Sequence, residues 1–268
     1  MDKRSFLVES YSSEYCDELT LVYGDNMMSE GGTAAVDELV AGIDITGKTI
    51  LDFGSGMGGM AIHLAQAYGA HVIGLEINKE MIARATERIP AELRSSISFM
   101  LCNEDGTLPL ADGTVDVVMS KGVIVHLTNV EREQVYSEFF RILKPGGRLI
   151  VNDWLSPQSG KWGASIERLI ETESLPLYSQ TIEEYTQTVK SAGFKNVVFT
   201  DQTSAYAQYN EGLAQRMSIP ELKKIFIDQF GEQAWTEHRQ GYGDTSVSFA
   251  KREAIAGIFR AEKEVSYE

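Results

Sequence analysis

The chain has 268 residues, and 24 lysines and arginines face 39 aspartates and glutamates, which gives a formal net charge of −15. A hydrophobic fraction of 43% is ordinary for a soluble globular protein and argues against global disorder. The acidic balance argues against nucleic-acid binding, because phosphate backbones are bound by clustered lysines and arginines.

The two cysteines, Cys16 and Cys102, lie far apart and provide no disulfide framework. The first residues are polar, and no apolar run approaches the roughly 20 residues needed to cross a bilayer. No His, Asp or Glu cluster has the spacing of a metal site. We therefore expect a cytoplasmic protein without a bound metal and without a membrane partner.

Helical and strand-like patterns alternate over the first 153 residues. The predicted helices are 33–43, 59–68, 78–89 and 130–143, and the predicted strands are 49–53, 71–76, 96–101, 115–120 and 148–152. This alternation predicts right-handed βαβ units and a parallel sheet with helices on both faces.

Beyond residue 153 the pattern is less regular. Residues 181–193 are predicted to be helical, 196–199 to form a strand, and 211–238 to form one or two helices. Residues 246–260 end in either a strand or a helix. We expect one structural domain, with an arm or lid over 1–32, a core over 33–153, and a cap that also completes the sheet over 154–268.

A glycine-rich loop follows the first predicted strand. Gly54, Gly56 and Gly59 fit the pattern G-x-G-x-x-G, which by itself is also typical of dinucleotide sites. Asp52 lies two residues before the first glycine, where a carboxylate would repel a pyrophosphate but could accept from the amine of an amino-acid tail. The segment Leu143-Lys144-Pro145-Gly146-Gly147 follows the fourth helix of the core.

Together these features resemble class I S-adenosylmethionine-dependent methyltransferases. The shared features, over about residues 25–155, are an acid-x-Gly-x-Gly loop, an acid ending strand two, an acidic dipeptide after strand three and an L-K-P-G-G turn. The resemblance implies a Rossmann-like, doubly wound and mostly parallel seven-stranded α/β sheet, with a helical cap over the active site. It also implies S-adenosyl-L-methionine as cofactor and S-adenosyl-L-homocysteine as product.

The resemblance further implies a set of cofactor-binding residues. Asp52 would lie near the methionine ammonium, Glu76 would accept from both ribose hydroxyls, and Ile77 would pack on the adenine. Either Glu104 or Asp105 would accept from the adenine amino group. The remaining members of the set, near the methionine part of the cofactor, are Gly54, Ser55, Gly56, Ser120, Ser29 and Tyr11.

Two further segments resemble short phosphoethanolamine N-methyltransferases, namely the arm from Tyr11 to Gly32 and the stretch 120–127 (SKGVIVHL). The resemblance implies that Tyr11 and His126 form a hydrogen-bonded catalytic pair at the methyl-transfer centre. An amine must lose a proton before it can attack, and an imidazole can take that proton near neutral pH. Tyr11 would orient the imidazole and close the arm over the cofactor.

The substrate side departs from this family. Gly122 stands in place of an aspartate, Lys121 in place of an arginine, and Trp154 in place of a tyrosine. The stretch 175–178 (LPLY) replaces an arginine and a tyrosine, so that Tyr178 is shifted by one position. We expect Lys121, Trp154 and Tyr178 to bind substrate, but no arginine can be assigned to a phosphate.

The sequence thus predicts a methyltransferase for a small-molecule acceptor. N-methylation of a small, phosphoethanolamine-like amine is the first hypothesis, and C-, O- or S-methylation of a more apolar metabolite is the alternative. A non-catalytic cofactor-binding protein is a third hypothesis. Monomer and homodimer both stay open. We predict a structural role for Asp116, at the entrance of the fourth strand.

Overall fold

A computed structural model describes residues 3–24, 26–173 and 176–265. A seven-stranded sheet in the order β3-β2-β1-β4-β5-β7-β6 forms its centre. β1 to β5 run parallel, whereas β7 is antiparallel to both of its neighbours. The predicted fold class is confirmed. The strands are β1 (Thr49–Phe53), β2 (His71–Glu76), β3 (Ile97–Leu101), β4 (Val115–Lys121), β5 (Leu143–Leu155), β6 (Lys195–Asp201) and β7 (Ile255–Glu262).

Helices cover both faces of the sheet and one of its ends. Those of the described residues are α1 (Lys3–Ser10), α2 (Ser13–Tyr23), α3 (Gly32–Leu39), α4 (Gly59–Tyr68), α5 (Lys79–Glu87), α6 (Asn129–Ile142), α7 (Ala164–Glu173), α8 (Ile182–Ser191), α9 (Thr203–Arg216) and α10 (Pro220–Ala250). None of these described helices combines the length and apolarity that a bilayer crossing requires.

Successive side chains of the central strands enter two different cores. Ile50 and Val117 pack on one face of the sheet, in the layer shared with α3 and α4. Leu51 and Val118 pack on the other face, in the layer shared with α6 and α8. Because both faces are covered, these strands are nearly continuous apolar runs, as is usual in parallel sheets.

Short polar side chains begin three of the helices. Asn78 accepts from the backbone of Glu80 and Met81 at the start of α5. Thr128 and Thr181 begin α6 and α8 with reciprocal capping boxes. These local signals explain why the boundaries of α5, α6 and α8 lie within about two residues of the prediction.

The L-K-P-G-G segment is an irregular start of β5 and not a separate turn. Leu143 pairs with Val115 and Arg148 with Val117, so the ladder is interrupted between these two pairs. Asp116 lies beside the interruption. Its carboxylate accepts from the backbone of Thr49 at 2.9 Å and from Lys144 at 2.7 Å. The predicted structural role of Asp116 is confirmed.

The arm and the cap form one packed layer at the carboxyl end of the sheet. Val22 of α2 is buried against Leu213 of α9 and Phe226 of α10. The uncertain region 211–238 belongs to two helices, and α10 bends at Gly231, whose φ is 92°. Residues 246–260 contain both the end of α10 and most of β7. The region after residue 153 therefore supplies α7, α9 and α10 to the cap and two strands to the sheet.

Candidate active site

A cavity lies where the strand order reverses, at the carboxyl ends of β1 and β4. It has a volume of about 180 Å³ and is lined by the glycine loop after β1, the end of β2 and the residues after β4. Such a switch point opens a crevice in doubly wound sheets, because the adjoining loops turn to opposite faces.

The glycine loop is fixed to the neighbouring strand. The backbone N–H groups of Gly54 and Ser55 both donate to the carbonyl of Leu75, at 2.8 and 3.0 Å. Gly54 has a φ of 75°, and a Cβ on it would lie 2.3 Å from Cγ2 of Val123. Only glycine fits there without displacing a neighbour, so the cavity floor is bare backbone.

Glu76 ends β2 and anchors the loops on both sides of the cavity. Its Oε2 accepts from the backbone of Gly56 at 2.9 Å. Its Oε1 accepts from the backbone of Ile77 at 2.7 Å and of Asn78 at 3.1 Å. Three N–H donors hold this buried carboxylate in one orientation along the cavity wall.

Asp52 presents an uncompensated carboxylate to the cavity. It is 1% exposed, and among the described residues neither of its carboxylate oxygens has a hydrogen-bond partner. The hydroxyl of Ser55, also in the lining, is buried and likewise has no partner within the described part of the chain. Burial, with a smaller contribution from the charge of Glu76, raises the pKa of Asp52 to about 7. A cationic ligand group at this place would satisfy both side chains.

Lys121 and Ser29 form the opposite, cationic end of the cavity. The Lys121 ammonium donates to the Ser29 hydroxyl at 2.9 Å. Burial lowers the pKa of Lys121 to about 8, although Glu30 and Asp153 oppose this effect by their charge. The cavity therefore places a carboxylate near the glycine loop and an ammonium near the arm.

Tyr11 and His126 meet at the mouth of this cavity. The Tyr11 hydroxyl lies 3.2 Å from Nε2 of His126, and Nδ1 of His126 lies 3.0 Å from the carbonyl oxygen of Pro176. A carbonyl can only accept, so Nδ1 carries a proton. In the neutral imidazole Nε2 is then the acceptor, and the Tyr11 hydroxyl donates to it.

A second chamber of about 120 Å³ lies on the other side of this pair. Five residues line both spaces, namely Tyr11, Met28, Ser29, Gly122 and His126. The cap and the arm supply most of the other walls, with the polar residues Glu30, Asn210, His238 and Thr245 and the aromatic residues Tyr15, Tyr23, Trp154 and Tyr242. The site is thus two adjoining compartments with a hydroxyl–imidazole pair between them.

Comparison with known proteins agrees with this geometry. Residues 50–147 match the family model described as "Methyltransferase domain". The phosphoethanolamine N-methyltransferase of Plasmodium falciparum is 25% identical over 263 residues, which cover 98% of this chain and 96% of that protein. The matched residues include the glycine loop, Glu76 and the strands β2, β3 and β4.

The chain is an S-adenosylmethionine-dependent methyltransferase.

Other relatives of the methyltransferase are also named phosphoethanolamine N-methyltransferases. Phosphoethanolamine N-methyltransferase 1 of Arabidopsis thaliana is 28% identical over 244 residues, which cover 90% of this chain but 48% of that protein. The chain thus spans about half the length of this plant relative. A Haemonchus contortus phosphoethanolamine N-methyltransferase 2 structure, with phosphomonomethylethanolamine and S-adenosylhomocysteine, superposes with a TM-score of 0.88 at 22% identity, covering 98% of this chain and 61% of that one.

Most residues predicted to bind the cofactor line the larger cavity of the methyltransferase. They are Tyr11, Ser29, Asp52, Gly54, Ser55, Gly56, Glu76 and Ile77, and the cavity also includes Lys121 and His126. Trp154, predicted to bind substrate, lines the second chamber. The structure brings these residues together, and their individual roles stay predictions.

Ser120 and Tyr178, also predicted site residues, are not among the residues that line the two compartments. Ser120 is fully buried inside β4, where its hydroxyl donates to the carbonyl of Phe53 at 2.9 Å and so joins two strands. Tyr178 lines a separate surface depression near Thr128 and Glu184, because its backbone is bound to Val125 at 2.8 Å. Leu175, another position in the substituted stretch, lies outside the described residues.

The acidic dipeptide after β3 also stands apart from the cavity. Glu104 and Asp105 are exposed, and neither belongs to the cavity lining, in which Cys102 represents this loop. Asp105 accepts from the backbone and the hydroxyl of Thr107. A contact between either carboxylate and the adenine stays a prediction that this loop arrangement does not support.

Sequence reasoning missed the polar residues that the arm and cap add to the second chamber. Glu30 is 7% exposed and Asn210 is 1% exposed, and both line the chamber. His238 pairs with Glu18 at 2.8 Å. In the sequence, Glu30 was marked only by its place beside Ser29 in the arm segment. Contacts between the arm and the cap helices form no short sequence motif.

Proposed function

We propose that this methyltransferase transfers the methyl group to the nitrogen of a small amine held in the second chamber. The single observation that carries the proposal is the shared wall: Tyr11 and His126 line both compartments and are hydrogen-bonded to each other. A methyl donor in one compartment and an acceptor in the other would meet at this pair. The relatives named above are N-methyltransferases, which favours a nitrogen acceptor.

The larger cavity offers a complementary group for each part of S-adenosylmethionine. Asp52 would take the ammonium, which is consistent with its two unpartnered oxygens. Glu76 would accept from the ribose, and Ile77 would pack on the adenine. Lys121 would bind the methionine carboxylate from its position beside Ser29. When bound, the cofactor supplies a methyl group on a positively charged sulfur.

Tyr11 and His126 would remove the proton that blocks the amine. The ammonium donates to the phenol oxygen of Tyr11, and the phenol passes its own proton to Nε2 of His126. The carbonyl of Pro176, which accepts from Nδ1, stabilises the imidazolium that results. The exposed nitrogen lone pair then attacks in line, a carbon–nitrogen bond forms and the carbon–sulfur bond breaks.

The aromatic walls of the second chamber support one alternative, methylation of carbon, oxygen or sulfur on a more apolar metabolite. An apolar acceptor would gain from contact with Tyr15, Trp154 and Tyr242. It would have no use for a proton relay from an ammonium, however, and it would bring no positive charge to the Glu30 carboxylate that lines the chamber. We therefore favour the amine.

Transfer to a panel of amines, phenols, thiols and prenyl compounds tests the proposal directly. For the amine that reacts best, Tyr11→Phe and His126→Gln should each lower turnover by about 10²–10⁴-fold, the usual worth of general acid–base catalysis. The affinity for S-adenosylhomocysteine should fall much less than turnover. His71→Gln, at an exposed position of β2, is the matched control.

The pH dependence gives a second readout. The deficit of both variants should shrink as the pH approaches the pKa of the amine, because the substrate then arrives already deprotonated. A deficit that does not change with pH, or an equal loss of cofactor affinity, would make the pair structural. Transfer only to phenols, thiols or prenyl compounds would refute the amine.

A further inference from the structure

We propose that the acceptor is a small amine without a phosphate group, bound as a cation, and that the carboxylate of Glu30 recognises its charge. This inference rests on the proposed function, because it defines what the second chamber of an N-methyltransferase accepts. It assigns substrate recognition to a residue of the arm that the sequence analysis did not predict.

Glu30 is an acid built into the chamber wall. It follows Ser29, is 7% exposed and lines the chamber. Asn210 of α9 lines the same chamber, and its amide group donates to the carbonyl of Tyr206 at 3.0 Å. The acid therefore lies in a wall formed by the arm and α9. A buried carboxylate in such a wall is suited to a cationic partner.

The charges around the Glu30 carboxylate favour a cationic acceptor. Burial raises the pKa of Glu30, while the positive charge of Lys121 opposes this effect. Lys121 itself lines the cofactor cavity and donates to Ser29 at 2.9 Å. If the cofactor carboxylate occupies Lys121, as proposed above, a cationic acceptor is the group that stabilises the ionised form of Glu30.

The aromatic walls complete a site for an alkylammonium group. Tyr11 lies between Tyr15 and His126 with ring centroids 5.9 Å apart in each pair. Tyr23, Trp154 and Tyr242 line the same chamber. Aromatic faces attract ammonium and methylated ammonium groups electrostatically. A chamber of about 120 Å³ limits the acceptor to a small molecule.

The same chamber is unsuited to a phosphate. Among the described residues that line it, none is a lysine or an arginine. Of the two histidines in the lining, His126 belongs to the transfer centre and His238 is paired with Glu18 at 2.8 Å. Two lysines of the cap are engaged elsewhere, since Lys223 lies over Trp235 and Lys224 pairs with Asp228. A phosphate would meet Glu30 without an arginine to compensate for the repulsion.

Gly122 lines the chamber beside the arm residue that precedes Glu30. A Cβ on Gly122 would lie 3.7 Å from Cβ of Ser29, the residue next to Glu30. The loop after β4 supplies no carboxylate at this position, so the negative charge on this side of the chamber comes from the arm.

Glu30 would also act during the reaction. As the carbon–sulfur bond breaks and the carbon–nitrogen bond forms, the positive charge moves from sulfur to the acceptor nitrogen. A carboxylate in the acceptor chamber stabilises that charge. No further reactant is needed, and the proton removed beforehand stays on His126 until the product leaves.

Matched pairs of acceptors test the inference. Ethanolamine against phosphoethanolamine, and dimethylethanolamine against its phosphate ester, differ only in the phosphate group. We expect kcat/KM to be at least about tenfold higher for the unphosphorylated member, the effect of one favourable charge contact. Higher efficiency with the phosphorylated member would overturn the inference and leave the proposed N-methylation intact.

The variant Glu30→Gln keeps the shape and removes the charge. For the unphosphorylated amine it should raise KM by about 10–100-fold, as loss of a buried charge contact does, with cofactor affinity unchanged. Glu30→Asp should restore part of this loss. The matched control is Glu211→Gln, which removes one charge from an exposed position next to Asn210 on α9. An unchanged KM in Glu30→Gln would refute the role of the acid.

A binding experiment separates this inference from the activity. Tetramethylammonium is titrated calorimetrically into the complex with S-adenosylhomocysteine, with inorganic phosphate as the opposing probe. Binding of the cation that weakens in Glu30→Gln supports the inference even where every amine of the panel is inert. Binding of phosphate, or of neither probe, overturns it. Absence of transfer to all amines would overturn the proposed function separately.

Discussion

The buried carboxylate of Asp52 predicts a stability that depends on pH in an unusual direction. In the unliganded protein this group has a pKa of about 7 against an ordinary 3.8, because burial disfavours its charge. The unfolded chain therefore ionises first. The stabilisation is fully present below pH 3.8 and is lost as the pH rises through 7. Asp52→Asn removes this dependence while preserving the size of the side chain.

The size of the effect follows from the two pKa values. Their difference corresponds to roughly 4 kcal/mol, at about 1.4 kcal/mol for each pH unit between 3.8 and 7. About 3 kcal/mol of it falls between pH 5 and pH 8. The constant cost of burying an amide cancels when the two pH values are compared. Relative to the wild type, Asp52→Asn should thus gain about 6–12 °C in melting temperature over this range.

Thermal unfolding at pH 5 and pH 8, with and without ligand, measures this gain. S-adenosylhomocysteine brings an ammonium to Asp52. It should abolish the pH-dependent gap, which is the difference in melting temperature between Asp52→Asn and the wild type. Methylthioadenosine, which lacks the amino-acid tail, should leave the gap in place. The matched control is Asp116→Asn. That carboxylate has a lowered pKa from Lys144 and Thr49, so its stabilisation is lost only at lower pH and its gap should be flat here.

If the gap is the same at pH 5 and pH 8, burial does not raise the pKa of Asp52 in the folded chain. Equal protection by S-adenosylhomocysteine and methylthioadenosine would refute the contact with the ammonium.

Two further substitutions distinguish a residue that binds the cofactor from a residue that stabilises the fold. Glu76→Ala removes the acceptor of three backbone N–H groups, so it should weaken S-adenosylhomocysteine binding by at least about tenfold; calorimetry checks this, and unchanged affinity would contradict the placement of the ribose. Ser120→Ala removes a buried hydroxyl that donates to Phe53 and should cost about 1 kcal/mol of stability with cofactor affinity unchanged. Denaturant unfolding measures that cost, and a large loss of cofactor affinity would return Ser120 to the site.

The first half of the fold could be predicted because its signals are local. β1 and β2 occur at the predicted residues, and Asn78 caps α5 as expected. Buried parallel strands, glycine loops and capping residues all act over a few neighbours in sequence. The cofactor cavity is built from these segments, so most of its lining was predicted as well.

The cap could not be predicted in the same way. α2 buries Cys16, Leu19 and Val22, but the surfaces that cover them belong to distant parts of the chain. α10 extends over 31 residues with a break at Gly231, and its apolar residues face several partners. Periodicity gives no clear answer where tertiary contacts decide. Tyr178 was misplaced for the same reason, since its direction depends on a backbone contact with Val125.

Because β7 lies between β5 and β6, the sheet cannot be completed before β7 has been synthesised. β7 is the last of the described strands in chain order, yet it pairs with both β5 and β6. Its Gly257 carbonyl accepts from Asn152 at 3.2 Å, and the Asn152 carbonyl accepts from the backbone of Gly122 at 2.9 Å. A nascent chain that already contains every site residue therefore lacks the support behind Gly122. Methyl transfer should begin only after residue 262 has been synthesised and the sheet has closed.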